Sequence, residues 1–128
     1  MRGLAVAVMA LGVTGAALAQ PAPAEQSPRQ KYDYWVRCAA MFQLKGREAN
    51  LAGNTPETTI WETRARTAID NGLKEAEGLN VVRADAEKNA SERAGQFSAT
   101  LAQGNKETDA QFERAVEICT GSLNSPPR

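Results

Sequence analysis

The sequence predicts an all-α fold: a small up-down-up-down four-helix bundle with one disulfide joining the first and last helices. Three observations predict it. Apolar residues recur at helical spacing in four segments, β-branched runs are nearly absent, and the 128 residues include only two Tyr, two Trp and three Phe. Pro and Gly punctuate the joints between those segments. The only two cysteines, Cys38 and Cys119, fall on the apolar stripes of the first and last segments.

Residues 1–19 read as a signal peptide. Arg2 gives a short positive start, Leu4 to Ala17 is almost wholly apolar, and Ala17-Leu18-Ala19 supplies the small-x-small pattern before Gln20. The apolar run is shorter than the ~20 residues that a spanning helix needs, so no membrane span is expected after cleavage. The short start and Ala-rich centre point to a bacterial chain bound for the periplasm, with full secretion as the alternative. Removing 19 of 128 residues leaves 109 and takes away one Arg and no acid, so 14 basic and 15 acidic residues remain. Charges of both signs are interspersed, which gives no electrostatic footprint for nucleic acid or an anionic membrane.

Residues 20–27, rich in Pro and Ala, form an expected disordered leader, and a helical domain follows over 28–123. Helix one is predicted from Ser27 as N-cap and Pro28 at the first helical position to Lys45, with Gly46 ending it. Within it, Tyr34, Cys38 and Met41 share one stripe and Trp35, Cys38, Ala39 and Phe42 an overlapping one, so this is the helix on which the others pack. Asp33 and Arg37 stand four apart on its exposed face. Residues 46–55 hold two Gly and two Asn and read as a long loop.

Helix two is expected to open with Thr55 as N-cap and Pro56 at its first position, with Glu57 against the positive helix end. Its stripe is Trp61, Ala65, Ala68, Ile69, Gly72, Leu73 and Ala76, with Glu62–Arg66 and Asp70–Lys74 pairs outside. Gly72 interrupts no periodicity and reads as a close helix–helix contact, at a cost of about 1 kcal/mol relative to Ala. After a break at Gly78-Leu79-Asn80, Asn80 caps helix three, expected from Val81 to about Gln103. Its stripe of Val82, Ala86, Ala90, Ala94, Phe97 and Leu101 has small residues in the middle, which lets helix axes approach closely. The last helix begins near Asn105 or Thr108, carries Phe112, Ala115, Val116 and Cys119, and stops at Gly121; residues 124–128 form a disordered tail.

Two cysteines in an exported chain pair by default, and Cys38 and Cys119 lie at similar depths in helices expected to be antiparallel neighbours. Closing a loop of that length stabilises a fold by roughly 4 to 5 kcal/mol in the chain-entropy model. A redox pair normally sits as Cys-x-x-Cys at a helix start, whereas these fall mid-helix, so the structural reading is preferred. The chain has no histidine. That excludes haem attachment or ligation through His, Glu-x-x-His di-iron sites and His-dependent nucleophiles, and removes the usual zinc ligands. No cofactor, metal site or catalytic residue is expected. Glu75, Glu77, Asp85 and Glu87 flank the second break without a calcium-loop pattern and read as a solvated acidic helix end.

The one candidate binding face is Tyr34, Trp35, Arg37 and Trp61, with Tyr32 and Arg64 nearby in sequence, since Trp, Tyr and Arg dominate interface hot spots. The competing reading puts the two tryptophans in the bulky layer of the core with the Tyr hydroxyls at its rim, and it is favoured. Function is therefore expected to be non-enzymatic: binding an unidentified protein or envelope component, or acting as an accessory protein. A helical periplasmic chaperone or stress protein is the alternative, although the Leu-Thr-x-x-Gln repeat of envelope chaperones is not present at Leu101-Ala102-Gln103.

Overall fold

A computed structural model describes residues 26–124 of the chain. The expected signal peptide at 1–19, the leader up to residue 25 and the tail beyond Asn124 lie outside the described residues. Four helices follow in order: α1 (Pro28–Leu51), α2 (Thr55–Glu75), α3 (Arg83–Leu101) and α4 (Lys106–Asn124). No strand occurs among the described residues.

The start of α1 is written locally. Ser27 Oγ accepts from the Gln30 backbone N–H at 3.2 Å, and Gln30 Oε1 accepts from the Ser27 N–H at 2.9 Å, a reciprocal capping box ahead of Pro28. Its end departs from expectation. Gly46 lies inside the helix, which runs to Leu51, so the expected loop over 46–55 shrinks to Ala52, Gly53 and Asn54. The reason is tertiary. A Cβ at Gly46 would lie 3.5 Å from Trp61 Cβ, so this position marks a close approach of α2 instead of a terminus. Termination falls to Gly53 at φ +75°, with Gly53 N–H donating to Asn50 O and Asn54 N–H to Ala49 O, the two bonds of a Schellman ending. Asn54 then caps α2, its Oδ1 accepting from the Glu57 N–H at 3.1 Å, which moves the cap one residue ahead of the expected Thr55.

The joint between α2 and α3 is also revised. It covers residues 76–82, and Asn80 adopts φ +56°, so Asn80 forms the turn and α3 begins at Arg83. No side chain caps α3 at Val82, but the Asp85 carboxylate accepts from the Val82 N–H at 3.4 Å. α3 ends at Leu101, and Asn105 Oδ1 accepts from the N–H groups of Glu107 and Thr108 to start α4. Gly121 stays within α4, which continues to Asn124.

Pairs of contacting residues give the relative directions. Phe42 meets Trp61 and Trp35 faces Gly72, so α1 and α2 run antiparallel. Lys45 pairs with Glu113, Cys38 with Cys119 and Tyr34 with Ser122, so α1 and α4 do too. Tyr32 pairs with Asn89 and the field of Arg93 reaches Arg37, so α1 and α3 point the same way. These directions are compatible with an up-down-up-down order.

The cross-section departs from a square with four equal sides. α1 touches all three other helices and is most extensively packed against α2, while α3 and α4 barely meet. Accordingly α1 is buried nearly all round, from Tyr32 through Phe42, as a central helix must be. The other helices each contribute one stripe: Ala65, Ala68, Ile69 and Gly72 from α2, with Ala76 just past its end; Ala86, Ala90 and Ala94 from α3; Phe112, Ala115, Val116 and Cys119 from α4. The expected Val82 end of the α3 stripe is 60% exposed, because it precedes the helix.

Charge pairing uses both helical spacing and tertiary neighbours, with partners other than those expected. Asp33 pairs with Arg29 at 3.8 Å, and Asp70 takes Arg83 of α3, not Lys74. Among the described residues no helix is long and apolar enough to cross a membrane.

Candidate functional site

The four residues singled out as a candidate face go to different sides of α1 and α2. At about 100° per residue, Trp35 and Arg37 point to nearly opposite sides of one helix. Tyr34 is 5% exposed and turns to α4, its hydroxyl 2.6 Å from Ser122 Oγ. Trp35 is 1% exposed and lies against α2, with Gly72 beneath its Cβ. The two rings still touch edge to face, their centroids 5.3 Å apart. Trp61 is half-buried at the far end of the α1–α2 interface, stacked near Phe42 at 5.9 Å. The Arg64 guanidinium lies over Trp61 at 4.7 Å from the ring centre, and Lys45 approaches it at 5.7 Å. Arg37 meets neither tryptophan in any such contact and lines the gap beside the disulfide with Ala115 and Ile118 of α4.

Cys38 and Cys119 form a disulfide with Cα atoms 5.6 Å apart and 81 residues of separation. With the revised helix ends the matching of depths becomes closer than expected. Leu51 is thirteen residues beyond Cys38 and Cys119 thirteen beyond Lys106, each about 20 Å at the helical rise. Beside the sulfurs, Tyr34, Arg37, Met41 and Ile118 enclose a gap of about 20 Å³. That is room for a water molecule and for no organic ligand.

Two larger depressions open on other sides. One, of about 620 Å³, is a broad polar hollow around Gly46 and Ala65, edged by Arg47, Glu62 and Arg66. The other, of about 210 Å³, is a groove between α1 and α3 lined by Arg29, Tyr32, Asp33 and Val36 on one wall and Asn89, Glu92, Arg93 and Gln96 on the other. In this groove the Asn89 amide donates to the Tyr32 hydroxyl at 2.8 Å, and Arg29 lies over the Tyr32 ring at 5.6 Å.

No family model matches this chain, and neither curated proteins nor solved structures offer a match. The electrostatics of its own side chains are therefore the guide. Arg37 stands out. Burial lowers its pKa, and the nearby Arg93 lowers it further, against weaker support from Asp33 and Tyr34. Its Nε is buried without a hydrogen-bond acceptor. Lys45 shows the opposite balance. Burial works against its charge, but hydrogen bonds to Glu48 and Glu113 at 3.2 Å outweigh that and raise its pKa. Arg83, at the surface, is raised by its hydrogen bond to Asp70.

The acidic residues at the second break do not converge. Asp85 caps α3, and Glu87 lies 4.0 Å from Arg83. Among the described residues no group of three or more Cys, Asp or Glu is placed to hold a metal ion. Sequence reasoning missed Arg93 and Asn89. Their only signal was position: they follow Asp85 at four-residue steps, one face over from the alanine stripe.

Proposed function

We propose that this chain is an exported, non-enzymatic binding or accessory protein of the bacterial cell envelope, working in the periplasm. The observation that carries the reading is the buried Cys38–Cys119 bond across the whole fold, since such a bond persists in oxidising compartments and is rare in the cytosol. The signal-peptide pattern at residues 1–19 agrees with it, and the absence of histidine from the sequence leaves acid–base catalysis to carboxylates, Tyr and Lys. A chaperone would present a continuous concave apolar surface. The exposed large apolar residues instead are scattered, with Leu51 (88% exposed) and Ile60 at one end of α2, Leu79 and Val82 at the other and Ile118 apart on α4, which favours the binding or accessory role.

Expression of the full chain in a bacterial host, followed by fractionation and mass measurement, tests the export. The expected product is periplasmic, begins at Gln20 and has no free thiol. A cytoplasmic, uncleaved product with free thiols contradicts the reading. Cross-linking of the mature protein in the periplasm tests the role: one stoichiometric partner supports binding, and many unfolded clients support the chaperone alternative.

A further inference from the structure

The groove between α1 and α3 is built from one face of each helix. Its lining positions follow an i, i+3, i+4, i+7 spacing on both walls, starting at Arg29 on α1 and at Asn89 on α3. The most deeply buried polar side chain in it, Tyr32, is 1% exposed. The Tyr32 hydroxyl accepts from the Asn89 amide at 2.8 Å and gives its own proton to no described residue. Arg93, half-buried, and Glu92, exposed, line the same groove, and neither has an ion-pair partner among the described residues. The two cannot neutralise each other, because consecutive positions on a helix stand about 100° apart and do not face one another. Asp33 is engaged within its own wall by Arg29 at 3.8 Å. One groove thus carries a guanidinium and a carboxylate, each unpaired and held apart.

We propose that the α1–α3 groove binds a small amino acid in its zwitterionic form, the carboxylate held by Arg93 and the ammonium by Glu92. Arg93 presents a fork of N–H donors that matches a carboxylate, and Glu92 is the charged acceptor that an ammonium needs. The spare Tyr32 proton gives the groove a further donor. A ligand of a single charge satisfies one of these groups and is repelled by the other, whereas a zwitterion satisfies both. The volume of about 210 Å³ sets the size, since it lies below the 300 Å³ or so where drug-sized ligand sites begin: room for a compact amino acid and not for a peptide. This names a ligand class for the binding role above and rests on that reading only for biological meaning, because the site is read on purified protein whether or not the export experiment succeeds.

The test titrates the purified, oxidised protein near neutral pH with glycine and with 4-aminobutyrate, two zwitterions of different charge spacing. Acetate and methylammonium serve as single-charge probes, all at constant ionic strength. Two-dimensional amide NMR is the readout. Saturable shifts around Tyr32, Asn89 and Arg93 are expected with at least one zwitterion. Acetate and methylammonium should each bind at least about tenfold more weakly, the loss expected for a charge-assisted hydrogen bond. R93Q and E92Q should each lower the affinity for that zwitterion by a similar factor. Neither side chain makes an ion pair in the protein, so both variants should keep the parent's melting midpoint, which separates a lost site from a lost fold. Absence of saturable shifts with both zwitterions overturns the proposal. So does acetate or methylammonium binding as tightly as the zwitterion, or unchanged affinity in either variant.

Discussion

α2 and α4 both pack on α1, by different means. The α1–α2 interface is continuous: Trp35 over Gly72, Phe42 beside Trp61, and Ala65, Ala68 and Ile69 filling the length between. The α1–α4 interface is sparse, and three discrete links along it supplement the burial of Phe112, Ala115 and Val116. These are Lys45 to Glu113, Cys38 to Cys119, and the Tyr34 hydroxyl to Ser122. One interface is held by shape, which demands small residues at the points of approach. The other is held by bonds, which tolerate looser packing and depend on a few groups. The sparsely packed last helix is where a covalent link has most to contribute.

Removing the covalent link is the strongest way to break this contrast. C38A/C119A, or reduction, is expected to cost roughly 4 to 5 kcal/mol for a separation of 81 residues. Hydrogen exchange should show α4 losing protection before α1 and α2. An unchanged melting midpoint would remove the staple from the account, and uniform loss of protection would remove the contrast.

The shape-held interface should answer to size. A Cβ at Gly72 would sit 3.2 Å from Trp35 Cβ, so Gly72→Val is expected to destabilise by about 1–3 kcal/mol in denaturant unfolding. At Gly46 the corresponding approach is 3.5 Å, an ordinary contact, so Gly46→Ala should stabilise by about 0.5–1 kcal/mol through helix propensity. Equal responses at the two glycines would show that packing distance does not govern this interface.

The polar links of α4 should have smaller effects. Tyr34→Phe keeps the ring and removes one hydrogen bond, with an expected loss of about 1 kcal/mol and faster exchange in the last turn of α4. Combining it with Ser122→Ala should add little more, since both remove the same bond. Lys45→Met should cost about 0.5 kcal/mol at neutral pH. Because folding raises the Lys45 pKa, its contribution is complete below the ordinary lysine pKa and is lost as pH rises through the higher folded value. The parent should therefore weaken at strongly alkaline pH by a step that Lys45→Met lacks, visible in paired unfolding curves.

Much of the fold was legible because it is written in short-range rules. The capping box at Ser27, the stripe of Ala86, Ala90 and Ala94, and the close contact at Gly72 all follow from spacing and residue type. Gly46 was misread because a glycine that ends a helix and one that admits a neighbouring helix look alike in sequence. Asn54 and Asn80 exchanged expected roles with their neighbours for a related reason: capping depends on φ at one residue, which the whole joint decides. The candidate face was less legible. Helical arithmetic already sets Trp35 and Arg37 apart, but nothing local says that Arg37 Nε will be buried without an acceptor.

By itself the sequence determined the number and kind of elements, the one possible disulfide and the exclusion of histidine chemistry, since these depend on composition and period alone. Only the tertiary structure decided that Gly46 admits α2 where a helix end was expected, that Asp70 pairs with Arg83, and that Arg37 Nε is buried without an acceptor. Those outcomes depend on which surfaces of separate helices meet, and a one-dimensional pattern fixes the face of each helix without naming its neighbour.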